Sequence, residues 1–389
     1  MKPRYLFRPA ALCFLLALPV IAATPPDVWQ KGVPFSFKYA GRESAQFLSS
    51  WSHADETVTA DGGKILRRTY SDPVTKLRVI AEIRTFNDFA AVEWLLKFRN
   101  EGTSDSPIIE DIMPLDWAFA AEGNAALHHA RGSTAQPNDY APQTEVLKPG
   151  SVVHLQSESG RSSSGNTLPF FNLELGDHGV IGAIGWTGNW DATFSFAPSA
   201  KIIAAKAGMR KTHFLLHPQE EIRSPRILLL DWTGGNGETA QNTWRRLILA
   251  YYSASFAADP GPADAHNPAW LAWLTQVLQE YREVQPYFYG DFYPLLPYTL
   301  EKNAWTAWQW HVPQRNSGIV LLLRRPEALF TSMHLNLHAV DSDAIYEVET
   351  RTGLAKAPLQ IMTGHTLKHL PITLPEKPSS VLLFYRRRT

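Results

Sequence analysis

The chain has 389 residues, 44% of them hydrophobic and 19% charged, enough for two or three domains with cores of their own. Its 37 basic and 37 acidic side chains cancel, which excludes the basic surface of a nucleic-acid binder and any solvating acidic tail. Aromatic residues are frequent at 12%, with 13 Trp; tryptophan stacks on sugar rings but also fills sandwich cores, so the count favours carbohydrate contact without deciding it.

Residues 1–23 read as a secretory signal peptide. Lys2, Arg4 and Arg8 precede an apolar run from Ala10 to Ile21, about a dozen residues and too short to span a bilayer. Ala22 and Ala23 then supply a small-residue cleavage site. Cleavage removes those three cations, leaving 34 basic against 37 acidic groups and a net charge of −3. It also removes Cys13, the only cysteine. Leu12 stands where a lipoprotein anchor needs a small residue. The expectation is a bacterial secreted or periplasmic protein, off the membrane after cleavage and held together by its core without disulfides.

From Gly32 to about Leu230 the pattern is that of strands. Leu77, Val79, Ala81 and Ile83 alternate with Lys76, Arg78, Glu82 and Arg84, the period of a half-buried strand. Further strands are predicted over 91–98, 152–155, 179–185, 192–196, 212–216 and 226–232. Thr239 to Tyr252 then places Trp244, Leu247, Ile248 and Tyr251 on one helical face. A loop from Ser253 to His266 leads to a second helix, capped by Asn267 with Pro268 at its first position. Trp270, Leu271, Leu274, Val277, Leu278 and Tyr281 form its apolar stripe, and Pro286 ends it. Such a stripe needs a surface, either the large sheet system or a second copy. Strands return over 319–323, 333–337, 346–348 and 381–385. The fold class is therefore mainly β: a large N-terminal antiparallel supersandwich over 24–235, a helical connector over 236–288 and a smaller C-terminal antiparallel sandwich over 289–389.

Few constellations carry chemistry. His128-His129 and the pair His334 and His338 have no third ligand for a metal. Ser162, Ser163 and Ser164 lack the strand–elbow–helix context of a nucleophile, and Gly234-Gly235-Asn236-Gly237 lacks the Lys-Ser/Thr ending of a phosphate loop. Glu110-Asp111 reads as a strand-end structural pair, and Gly290-Asp291 as a turn. No cofactor or metal is expected. The loop Gly185-Trp186-Thr187-Gly188-Asn189-Trp190-Asp191 is the best site candidate: two indole rings beside planar hydrogen-bonding groups suit a sugar with one apolar face. The competing reading puts Trp186 and Trp190 in the sandwich core.

Four stretches resemble the family 36 α-galactosidases: Leu168 to Glu174 with Ile184 to Trp190; Ile222 to Arg226 with Asn242 to Leu247; Pro286 to Leu295; and Ala304 to Gln309 with Arg324-Arg325-Pro326. The resemblance implies both flanking β domains of that family. It also implies that the catalytic barrel between them is absent, because a (β/α)₈ barrel takes ~250 residues and only one helix and a loop fit between Tyr252 and Pro286. In that family the barrel carries both catalytic aspartates, so no catalytic residue is carried over. In those enzymes residues of the supersandwich reach over the substrate pocket. This makes Trp186, Asn189, Trp190 and Asp191 the carbohydrate-binding candidates, joined by Asp139 in a loop similar to one near the barrel mouth. The expected function is that of a non-catalytic α-galactosidase relative that binds a galactoside or another oligosaccharide. Three alternatives stay open: an active α-galactosidase-like glycosidase with an improvised site, one whose barrel comes from another chain, and a non-functional truncated relic.

Overall fold

A computed structural model of the chain describes residues 26–121, 124–163, 167–199, 201–234, 237–252 and 268–388. The signal-peptide stretch, the Asn267 cap, the loop from Ser253 to His266 and Ser164 lie outside the described residues. Every strand pairing among the described residues is antiparallel.

The N-terminal part is organised by a ten-stranded sheet. Its strands run in the order Pro142–Leu147, Ala125–Ala130, Phe170–Glu174, His178–Gly185, Arg226–Thr233, Ala91–Asn100, Leu77–Phe86, Gly63–Ser71 and Ser52–Ala60, and Glu221–Arg223 pairs beside Ala91–Asn100. Two four-stranded sheets complete the supersandwich. One is built of Val152–Gln156, Trp190–Phe196, Ile202–Met209 and Leu115–Ala120, and the other around Ile109–Met113 and Ser36–Tyr39. Strand alternation sorts the side chains between two cores. Val79, Ala81, Ile83, Trp94, Leu96, Phe98, Ile227 and Leu229 fill the main core with Trp190, Phe194 and Leu115. The opposite face of the large sheet, with Leu228, Leu230, Ile181 and Ala91, forms a second core.

That second core is closed by a helix, α2 (Gly237–Tyr251), which follows a short α1 (Val28–Lys31) at the start of the described chain. On the apolar face of α2, Ala240 and Leu247 are buried, with Trp244, Ile248 and Tyr251 packed around them. Just past its end, the Tyr252 hydroxyl donates to Glu93, a buried carboxylate also held by Arg226 at 2.5 Å. The other face of α2 is polar and grips the C-terminal sandwich. Arg245 donates to the carbonyls of Phe288 (3.1 Å) and Gly290 (2.9 Å), Arg246 pairs with Asp291, and the Asn242 side chain exchanges two hydrogen bonds with the backbone of Phe292.

The C-terminal sandwich has a seven-stranded sheet led by Asp291–Pro294, Trp305–Val312, Ser317–Arg324, Ser379–Arg387 and Ile345–Thr352. It packs over the pair Ser332–Asn336 and His369–Thr373, with α4 (Gly364–Lys368) leading into the latter. Buried polar groups fix its register: Gln309 donates to the Tyr385 hydroxyl at 2.7 Å, and the His311 ring meets the same oxygen at 2.9 Å.

The second helix of the connector, α3, runs over Pro268–Val284. Its apolar stripe is only partly covered: Trp270, Leu274 and Val277 are half-buried, Leu271, Leu278 and Tyr281 are exposed, and Trp273 beside them is 52% exposed. The helix is tied down at its C-terminal end. Buried Arg351 pairs with Glu280 (3.4 Å), Glu283 (2.5 Å) and Glu349 (2.6 Å) and lies over the Phe384 ring. One other sequence expectation shifts, and one strand goes unannounced by the sequence. Only His213–Phe214 of the stretch 212–216 pairs as strand. The long strand Ser52–Ala60, exposed along most of its length, carries no alternation to announce it.

α1 borders a cleft of about 300 Å³. Asp231, in the inward register of its strand, lines this cleft with Asp27, Lys31 and His178. Burial, with Asp27 close by, pushes the Asp231 carboxyl up to about 7, against weaker pulls from His178 and Lys31. The folded chain thus holds this proton more tightly than the unfolded chain. The stabilisation it supplies is complete below the ordinary carboxylate range and is lost as pH rises through about 7. Asp231→Asn, neutral at every pH, is expected to flatten the fall in thermal midpoint between about pH 5 and about pH 8. Equal slopes in parent and variant would show that another group titrates.

Candidate functional site

The sequence-predicted residues gather at one end of the supersandwich but offer little to a ligand. Trp190 is a correction. Its strand buries alternate residues, Trp190, Ala192, Phe194 and Phe196, so the ring points into the main core and is fully buried. Its indole N–H donates to the Ser162 carbonyl at 2.7 Å. No face remains for stacking on a sugar. Trp186 is half-buried against the same core, and the Arg223 guanidinium lies over its ring at 5.3 Å. Asn189 is exposed, but its side-chain oxygen accepts from the Gly160 N–H at 2.9 Å. Asp191, in the outward register, stands 3.6 Å from His154, and burial raises its carboxyl above the ordinary range. Asp139 accepts from the Thr134 N–H (3.0 Å) and the Ser133 hydroxyl (2.8 Å), bonds that hold its carboxyl below the usual range. It pins its own loop, and that loop is joined to the Trp190 turn through Ser163 and Ser162. Elsewhere, Glu110 engages His213 and Asp111 engages Lys38, both at 2.7 Å, and Asp291 is the partner of Arg246. Among the described residues no three potential metal-ligating side chains converge.

A different surface has the geometry of a binding site. Where α2 crosses the outer face of the ten-stranded sheet, a cleft of about 360 Å³ opens beside Ala125–Ala130, Pro142–Leu147 and Phe170–Glu174. Phe170 and Phe171 are consecutive in a strand, so one ring must leave the core. Phe171 is buried, and Phe170 is 42% exposed on the cleft side. Trp244 of α2 meets Phe170 edge-on, with centroids 6.2 Å apart at 78°, and the two rings form an apolar corner. Around it stand amides and hydroxyls from Asn172, Gln143, Gln241 and Thr144. The Asn172 side-chain oxygen is fixed by the Trp232 indole N–H at 3.0 Å. The His128 ring is held between Thr144 (2.9 Å) and Glu174 (2.8 Å). Arg245 completes the wall, its guanidinium spanning to the C-terminal sandwich.

Such an arrangement can stack on the C–H face of a ring and bond its hydroxyls. Retaining glycoside hydrolysis needs two carboxyl groups ~5 Å apart, and no Asp or Glu among the described residues lines the cleft. Sequence reasoning met these side chains in other guises: Phe170 within a family-like stretch, Trp244 in a helical stripe, His128 as a rejected metal ligand. The one local signal was the Phe-Phe pair.

The burial of Trp190 yields a test. Trp190→Ala is expected to destabilise the fold by about 3–5 kcal/mol, the cost of emptying a large aromatic core position, as read from denaturant unfolding. A stability change under about 0.5 kcal/mol, typical of a surface position, would return Trp190 to the surface.

No family model and no curated protein matches the chain. Solved structures do. The family 36 α-galactosidase AgaA of Geobacillus stearothermophilus, a variant in complex with raffinose, superposes with a TM-score of 0.61 at 10% identity, over 91% of this chain and 89% of that one. The galactosidase domain of the α-galactosidase–sucrose kinase AgaSK gives 0.61 at 9% identity, over 92% and 88%. The α-galactosidase of Lactobacillus brevis gives 0.58 at 9% identity, over 92% and 88%. At such identities the likeness is one of fold: the two β assemblies described above match the N-terminal and C-terminal β domains of the family 36 α-galactosidases.

Proposed function

We propose that the chain is an exported, non-catalytic carbohydrate-binding protein built on α-galactosidase-type β domains, with the cleft between α2 and the large sheet as its site. The observation that carries this is the lining of that cleft: an aromatic corner of Phe170 and Trp244, a rim of amide, imidazole and hydroxyl groups, and no carboxylate among the described residues. The connector supports the non-catalytic half. Only residues 252–267 separate α2 from α3, far short of the ~250 residues of a barrel. The fold match to enzymes of which one is described with raffinose makes galactosides the first ligands to try.

Calorimetric titration of the mature chain with raffinose and galactose, beside hydrolysis of a chromogenic α-galactoside, tests the reading. Binding without turnover is expected. Phe170→Ala should weaken it about 2- to 10-fold, since an aromatic contact is worth about 0.5–1.5 kcal/mol. Binding indifferent to Phe170→Ala would move the site elsewhere. Turnover abolished by a single Asp or Glu substitution would overturn the non-catalytic assignment.

Self-association through α3 belongs to the same proposal, supported by the exposed Leu271, Trp273 and Leu278. Sedimentation should show a dimer that Trp273→Glu dissociates; a parent that is monomeric at high concentration removes this part.

A further inference from the structure

The cleft is unbalanced in charge. Arg245 on its wall is half-buried and has no carboxylate within 4.0 Å among the described residues; Asp291, which pairs with its neighbour Arg246, acts on it only from beyond that distance, and the Arg246 charge opposes it. Glu174, on the sheet side, is engaged by His128 and does not line the cleft. The Arg245 guanidinium spends its bonds on neutral oxygens: the carbonyls of Gly290 (2.9 Å) and Phe288 (3.1 Å), and more distantly the Asn242 amide oxygen (3.4 Å). A guanidinium has five N–H donors, so these partners neither exhaust its bonding nor cancel its charge. Burial disfavours the charged form, pulling Arg245 below the ordinary arginine range. A neutral sugar presents hydroxyl donors that carboxylates meet best, and this lining has none. It is better matched to a ligand that brings its own negative charge, which a guanidinium binds through paired, charge-assisted hydrogen bonds.

We infer that the cleft selects an acidic saccharide, a ring bearing a carboxylate or a sulfate, over its neutral counterpart, with Arg245 as the specificity-determining residue. The inference rests on the reading of this cleft as a sugar site. Phe170 and Trp244 hold the ring by its apolar face, and Arg245 reads the charged substituent.

The experiment is calorimetric titration of the mature full chain with digalacturonate, galactose 6-sulfate and neutral galactobiose, at low and at high ionic strength. The expected result is about tenfold or tighter binding of at least one anionic sugar relative to galactobiose, as a hydrogen bond to a charged group warrants. High salt should erode the preference, and the ratio of the two anionic sugars tells carboxylate from sulfate. Arg245→Gln should bring the acid-over-neutral ratio to about one. Because Arg245 also clamps α2 to the C-terminal sandwich, Gln241→Glu provides an independent arm. It places a carboxylate one helical turn before Arg245, where the pair meets in i,i+4 geometry, and should collapse the same ratio. Equal binding of acidic and neutral sugars by the parent, or a preference that survives Gln241→Glu, overturns the inference while leaving carbohydrate binding intact. No binding of any of the three overturns both.

Discussion

The architecture depends on one helix with two incompatible faces. The apolar side of α2 belongs to the ten-stranded sheet, where Leu247 is buried among Leu228, Leu230 and Ile181. Its polar side belongs to the C-terminal sandwich, where Arg245, Arg246 and Asn242 meet the segment 288–292. Apolar burial is non-directional and supplies most of the adhesion, whereas guanidinium-to-carbonyl bonds supply direction. With either face left unpaired, the two sandwiches would be joined by little more than the chain itself. The cleft exists because of this clamp, since α2 forms one wall and the sheet the other.

The same clamp bears on the chemistry. In a barrel glycosidase the β domains flank a separate catalytic body; here α2 passes its load straight from one sandwich to the other. The surface so created has aromatic and amide groups but, among the described residues, no pair of carboxylates. The strongly perturbed acid of the supersandwich, Asp231, lies in a different cleft beneath α1. The aromatic cleft and the perturbed acid are therefore separated in space.

Much of the fold was legible because strand and helix periods are local. Leu77, Val79, Ala81 and Ile83 announce their strand and are all buried in it; Trp244, Leu247, Ile248 and Tyr251 announce α2. Ser52–Ala60 was missed because its exposure removes the alternation that burial imposes. The site was less legible for a different reason. His128, Phe170 and Trp244 are brought together by the pairing of Ala125–Ala130 with Phe170–Glu174 and by the docking of α2, and no local spacing encodes either. The Trp186–Trp190 loop misled because composition cannot say which ring faces in. That is set by register, with Trp190 opposite Met209 in a strand pair whose alternate residues fill the core.

The contrast between α2 and α3 shows what apolar periodicity does and does not imply. Both helices carry a stripe; that of α2 is packed into a core, whereas that of α3 leaves Leu271, Leu278 and Tyr281 exposed among the described residues. α3 is anchored by charge, through Arg351 and its three glutamates, at the end nearest the C-terminal sandwich. Arg351 is almost wholly buried, and such a cation requires its partners, so the anchor fixes where the helix leaves the body. It does nothing for Leu271 and Trp273 two turns further out. Among the described residues, Leu271 and Trp273 stay exposed.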